Sequence, residues 1–231
     1  MSLLHQMQSM ASRVASSVYH DWGATFVRRG DLKNAIQSCT RAIEFDPGKY
    51  EAYFNRGVAY MNQGHYAEAI ADFTTSLEIM PKQYKVLAYR GLAHYYDDAL
   101  TDAMNDYNLA LYYHPRESMV YVYRGMVSHD MGHYEAALHD YNDAMRYDPH
   151  NAISYRRRAE THVKLGNLRQ AIQDYWAFLE TGAMTTNATR QEVESIIGKL
   201  RLQLAWYVVA SMNWIETCDE GRTWPSFVIQ R

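Results

Sequence analysis

Two cysteines in 231 residues, Cys39 and Cys218, are too few for a disulfide framework. They point to a reducing compartment and a cytoplasmic location. No run of 18 or more apolar residues occurs, so no membrane-spanning helix is predicted. The first 20 residues contain no acid, and their single Arg13 is less than the arginine content of an organelle-targeting segment. Leu3, Leu4, Met7, Met10 and Val14 stand there at helical spacing and predict a packing helix over 1–15. A net charge of −3 gives none of the basic excess that nucleic acid requires. The basic cluster Arg156-Arg157-Arg158 is short, and Arg158 belongs to a repeating register. The chain has no glycine-rich phosphate loop, no His-Glu-x-x-His and no serine elbow, so neither a catalytic residue nor a cofactor is assigned and the reading is non-enzymatic.

Proline is scarce, with five residues, but four of them fall at 47, 81, 115 and 149, always 34 residues apart. Alanine keeps the same step at 35, 69, 103, 137 and 171, glycine at 23, 57, 91 and 125, arginine at 56, 90, 124 and 158, and aspartate at 72, 106, 140 and 174. Registers in phase at this period mark a stack of one supersecondary unit. In the copy from Tyr50 to Gln83, Tyr53, Gly57 and Tyr60 precede Gly64, and Ala69, Phe73 and Ser76 follow it. Spacings of three, four and seven make each half an amphipathic helix, with Gly64 at the turn. Gly57 and Ala69 are small where two helices approach closely. Pro81 ends the second helix, because it lacks an N–H and disfavours helical angles before it.

These residues resemble the tetratricopeptide repeat, whose 34-residue pattern runs aromatic, glycine, tyrosine, alanine, aromatic, alanine, proline. The resemblance covers 16–183 in five copies, 16–49, 50–83, 84–117, 118–151 and 152–183. It implies an all-α, right-handed superhelical solenoid of five helix pairs, expected here as one continuous domain because each repeat buries its apolar face on a neighbour. The copies depart from the pattern at named places. Copy one has Cys39 at the aromatic position, copy three has Asp98 at the turn glycine, and copy five lacks the closing proline. Beyond the array, Thr189 and Glu192 form a capping box before Val193, Ile196, Ile197, Leu200 and Leu204, which predicts a capping helix over 184–212. Glu194, Lys199, Arg201 and Gln203 give it a polar face, whereas Trp206 to Val209 is apolar all round and calls for burial. Residues 213–231 form an aromatic tail with Trp214, Trp224 and Phe227.

Arg56 lies eight residues before its turn and Asp72 eight after it, so antiparallel helices bring them to one level. The same holds for Arg90/Asp106, Arg124/Asp140 and Arg158/Asp174. Copy one lacks both members together, with Trp22 and Ser38 in their places, and the registers read as a structural ladder. His129, His133 and His139 are the densest histidine group, but His129 and His133 straddle a turn without sharing a helix face and no second ligand cluster accompanies them, so no metal site is assigned.

In the family, the first helix of each unit lines the concave side. Carried over copy by copy, the lining residues are Phe54, Asn55, Val58 and Met61; Tyr89, Leu92, Tyr95 and Tyr96; Met119, Val122, Tyr123 and Met126; and Arg156, Arg157 and Lys164. The resemblance thus implies a groove that is apolar and aromatic in its middle and basic at one end, suited to a protein or peptide partner with an apolar or aromatic segment and an acidic flank. A carboxylate clamp for chaperone C-termini is not expected, because its five places hold His20, Ala24, Asn55, Lys85 and Tyr89, and only Asn55 and Lys85 match. Two readings stand at this level. One is a non-enzymatic interaction scaffold with an open groove. The other is an assembly subunit whose groove is filled by its own tail and whose C-terminal region forms a homo-oligomer.

Overall fold

A computed structural model describes residues 3–181 and 186–218, and the side chains of 6–181 and 186–209. Those residues form eleven α-helices in two compact units, Met1–Pro149 and His150–Arg231, where the sequence reading expects one continuous array.

The first unit holds α1 (Leu3–Arg29), α2 (Leu32–Phe45), α3 (Tyr50–Asn62), α4 (Tyr66–Ile79), α5 (Tyr84–Tyr96), α6 (Leu100–Tyr113), α7 (Ser118–Asp130) and α8 (Tyr134–Tyr147). The second holds α9 (Ala152–Lys164), α10 (Leu168–Glu180) and α11 (Asn187–Cys218). Within the first unit each helix packs on the next, so four hairpins stack in sequence order. The starts of α3, α5 and α7 at 50, 84 and 118 follow the 34-residue step, as does α9 at 152.

The turn inside each hairpin requires one residue in the left-handed region. Gly30, Gly64, Gly132 and Gly166 take it with φ of 74°, 80°, 79° and 74°, and Asp98 takes it with φ 61°. A backbone bond from the residue after it closes the helix end, as in His65 N–H to the Tyr60 carbonyl at 2.9 Å and Ala99 N–H to the His94 carbonyl at 2.9 Å. The helical glycines serve a different need. A Cβ on Gly57, Gly91 or Gly125 would sit 2.7 to 2.8 Å from a ring carbon of Phe73, Tyr107 or Tyr141, and these three rings are the largest fully buried side chains of the stack. In copy one a Cβ on Gly23 would collide with Cys39, the smaller side chain that stands at the ring's position.

All four ladder pairs form. Arg56 donates from Nε and Nη2 to the two oxygens of Asp72, 2.8 and 2.7 Å, and Arg90, Arg124 and Arg158 grip Asp106, Asp140 and Asp174 in the same way. The Asp carboxylate holds the Arg56 guanidinium above its ordinary range, against the opposing effect of burial. A further contact went unread in the sequence. Nη1 of Arg56, Arg90 and Arg124 donates to Thr40, Thr74 and Asn108 of the preceding hairpin at 3.1, 3.1 and 2.9 Å. Those acceptors also recur every 34 residues, and this is the signal that could have disclosed them.

The two ends differ from expectation. There is no separate helix over 1–15: α1 runs unbroken from Leu3 to Arg29, and Met7, Met10 and Val14 are 62, 68 and 64% exposed instead of packed. Helix α11 begins at Asn187, two residues before Thr189, with the Thr186 hydroxyl accepting the Thr189 N–H at 3.2 Å, so the cap falls on Thr186. Val193, Ile197 and Leu200 are buried with Phe178 and Leu179, while Leu202, Trp206 and Val209 are exposed. The aromatic tail from 219 onward lies outside the described residues, and so does the part of the assembly reading that places it in the groove.

Candidate functional site

Helices α5 and α7 are first helices of consecutive hairpins, and their facing sides leave a cavity of about 300 Å³ in the first unit. Its walls are Tyr89 and Leu92 from α5 and Met119 and Tyr123 from α7, with Ala88 and Val120 beneath. Tyr84, Lys85 and Glu117 complete the lining, and the last two supply one charge of each sign.

Four of the expected lining residues therefore meet at one place, and aromatic packing holds them. Tyr123 is half-buried and stacks on Tyr107 at a centroid distance of 5.9 Å. Burial raises the phenol pKa of both residues, and Tyr107, fully buried, backs the wall that Tyr123 presents. Tyr89 stays 36% exposed and receives the edge of Phe54, 5.2 Å away, while Phe54 also leans on Phe73 at 5.9 Å. Phe54, Asn55 and Met61 on α3 are half-buried, so the apolar surface continues from the cavity toward copy two. Towards the C-terminal end of α5, Tyr96 is 53% exposed and stacks on Tyr66 at 5.5 Å, whereas the Tyr95 hydroxyl donates to Asp130 at 2.6 Å. Tyr95 is thus fixed by a hydrogen bond across to α7, and Tyr96 remains presented.

Three expected lining residues are not available. Val122 is fully buried, and Val58 and Met126 are each 9% exposed. For Val122 the reason is reach. Val122 shares its register with Ala88, which is also buried, and a side chain that ends at Cγ stays within the packed layer, whereas Phe54 at the same register extends past it. Tyr84, Lys85, Glu117 and Val120 are lining residues absent from the expected set. All four stand near the N-terminal ends of α5 and α7, and Tyr84, Lys85 and Glu117 lie ahead of the lining positions carried over from the family pattern.

On the second unit, Arg156 and Arg157 both donate to Glu160, at 3.1 and 3.0 Å, and Arg156 lies 3.9 Å from Glu192. Lys164 is exposed at the end of α9. The basic cluster is therefore partly neutralised by its own neighbours. Cys39 is buried, and burial pushes its thiol up to about 12, which leaves it a small apolar side chain instead of a nucleophile. Among the described residues no helix is long and apolar enough to cross a membrane.

Family models described as tetratricopeptide repeat match residues 50–83 and 129–183, and one described as TPR repeat matches 23–64. Among solved structures, the pilF protein of Pseudomonas aeruginosa aligns with a TM-score of 0.69 at 20% identity, over 91% of this chain and 99% of that one. MamA of Desulfovibrio magneticus RS-1 aligns at 0.66 and 16% identity, over 73% of this chain and 95% of that one. YrrB, described as a TPR protein with an unusual peptide-binding site, aligns at 0.60 and 16% identity, over 77% and 90%. No curated protein matches the sequence. At these identities the likeness concerns the fold alone.

Proposed function

Because the chain belongs to the tetratricopeptide repeat family, we propose that it is a non-enzymatic interaction scaffold that captures an apolar or aromatic segment of a partner protein against α5 and α7. The observation that carries this reading is the 300 Å³ cavity walled by Tyr89, Leu92, Met119 and Tyr123. Aromatic walls fixed by stacking offer a large contact area that loses little side-chain entropy on binding, and a methionine adapts to the shape of what enters. Phe54, Asn55, Met61 and Tyr96 extend the contact, with Tyr95 held in place by Asp130. Val58, Val122 and Met126 support the lining from beneath.

Lys85 and Glu117 at the cavity set polar contacts around the apolar anchor. Arg156, Arg157 and Lys164 on the second unit are assigned to acidic residues of the partner, with Glu160 and Glu192 as the internal carboxylates a partner must displace. The experiment is comparative co-purification of the wild type, Tyr89→Ala/Tyr123→Ala and the control Tyr112→Ala, whose 79% exposed ring lies on α6 away from the cavity. The proposal requires a partner retained by the wild type and the control and lost by the double variant. Identical retention by all three overturns it.

A further inference from the structure

Helix α1 carries two opposite faces. One packs on α2: the buried Ser16 hydroxyl donates to the Ala42 carbonyl at 2.9 Å, and Gly23 abuts Cys39. The other bears Met7, Met10, Val14, Val18 and Trp22 at steps of three and four, and all five are exposed, Trp22 by 53%. This face is the one that α3, α5 and α7 bury on the hairpin before them. Ala52, Val86 and Val120, at the register of Val18, are 0, 2 and 2% exposed, whereas Val18 is 42% exposed. Trp22 stands where later copies place the arginine that reaches back to the preceding hairpin, and it borders a concavity of about 440 Å³ shared with Thr25, Phe26 and Arg29. Stack ends are ordinarily polar for solubility, so a bare apolar face at this register is built to receive a helix.

Helix α11 offers one. Opposite its packed side, Glu194, Gly198, Leu202, Ala205 and Val209 follow at steps of four, four, three and four, with Trp206 beside them. Leu202, Trp206 and Val209 are 74, 60 and 55% exposed, and nothing lies within 4 Å of a Cβ built on Gly198, so a second helix has room to approach there. The two stripes match in length. Val14 to Arg29 and Glu194 to Val209 are each a separation of 15 residues, about 22 Å of helix. Laid antiparallel with Arg29 at Glu194, Val14 meets Val209, while Val18 and Trp22 come within one residue of Trp206 and Leu202. The end of α1 with Arg28 and Arg29 then lies level with Glu194, which already accepts from Arg190 at 3.0 Å.

We propose that α11 of one copy packs antiparallel on the exposed α1 face of a second copy, so that the protein associates head to tail. Such a contact uses two different patches, leaves one of each unfilled at the ends and continues to grow unless a ring closes. It is independent of the cavity between α5 and α7.

The test is sedimentation velocity on full-length wild type, Val14→Glu and Trp206→Glu, with circular dichroism as the check on folding; the two replaced side chains are 64 and 60% exposed, so each variant keeps its helical content. The wild type is expected to gain mass with concentration, and each variant alone to remain monomeric because one patch is lost. An equimolar mixture of the two variants retains one intact patch of each kind and is expected to give a dimer containing one copy of each. A monomeric wild type overturns the proposal. So does a Trp206→Glu protein that still associates, which would point to an α1-to-α1 contact, or a mixture that stays monomeric.

Discussion

Arg90 grips both oxygens of Asp106, at 2.8 and 2.7 Å, and with its remaining nitrogen reaches Thr74 of the preceding hairpin at 3.1 Å. One side chain thus locks a hairpin internally and ties it to its neighbour. The Asp106 side chain is 7% exposed, so Asp106→Ala strands a cation among apolar helices and is expected to cost about 3 kcal/mol. Replacing both members by apolar residues of similar volume removes the stranded charge and should recover most of that loss. Urea unfolding of the single and double variants measures both.

Asp98 occupies a conformation that four glycines occupy elsewhere in the chain. A side chain with a Cβ there works against the backbone, and glycine relieves that at some cost in unfolded-state entropy. Asp98→Gly is therefore expected to raise stability by about 0.5 kcal/mol. Gly64→Ala should lower it by about 1 kcal/mol, with no steric contribution because nothing lies within 4 Å of its Cβ. Thermal melts of the two variants should move in opposite directions.

The ring of His162 lies 3.9 Å from Asp174, the ladder carboxylate of copy five. Burial holds its imidazole below the ordinary 6.5, Asp174 opposes that shift and Arg158 reinforces it. The unfolded chain takes up this proton at about pH 6.5, and the folded chain only at lower pH. His162 therefore contributes stability above pH 6.5 that is lost as pH falls from there toward the folded value. His162→Gln should flatten the stability profile in the window just below pH 6.5 and leave it unchanged above neutrality.

A Cβ on Gly91 would lie 2.8 Å from the Tyr107 ring, which is fully buried and has no room to retreat. Gly91→Ala is expected to cost about 1 to 3 kcal/mol, measured by urea unfolding. Combining it with Tyr107→Leu should bring the cost of the alanine itself down. Copy five accommodates Ala159 at this register beside Tyr175, so the packing can adapt when the surrounding sequence changes with it.

The stack was legible in the sequence because each constraint on it is local and repeated. The turn glycines, the small residues under Phe73, Tyr107 and Tyr141 and the Arg/Asp registers each follow from a spacing that recurs every 34 residues. The lining of the cavity was only half legible. Register says which side of a helix a residue occupies, but Val122 is buried and Phe54 at the same register is only half-buried, because side-chain length decides which of them emerges from the packed layer. Glu117 reaches the cavity from ahead of α7, outside the register of lining positions, and Lys85 enters the sequence reading only as a clamp position. The exposed face of α1 was misread for a related reason. Met7, Met10 and Val14 have the periodicity of a packed face, and periodicity does not disclose whether a neighbour is present.

The account rests on a partner entering the space between α5 and α7. The most direct measurement is site-specific photocrosslinking in cells, with the photoreactive residue at Leu92 in the cavity wall and, separately, at Tyr112 on α6. The account predicts a discrete adduct from Leu92 that is absent from Tyr112 and is lost when Tyr89→Ala and Tyr123→Ala are added. An empty Leu92 lane, or the same adduct from both positions, would contradict it.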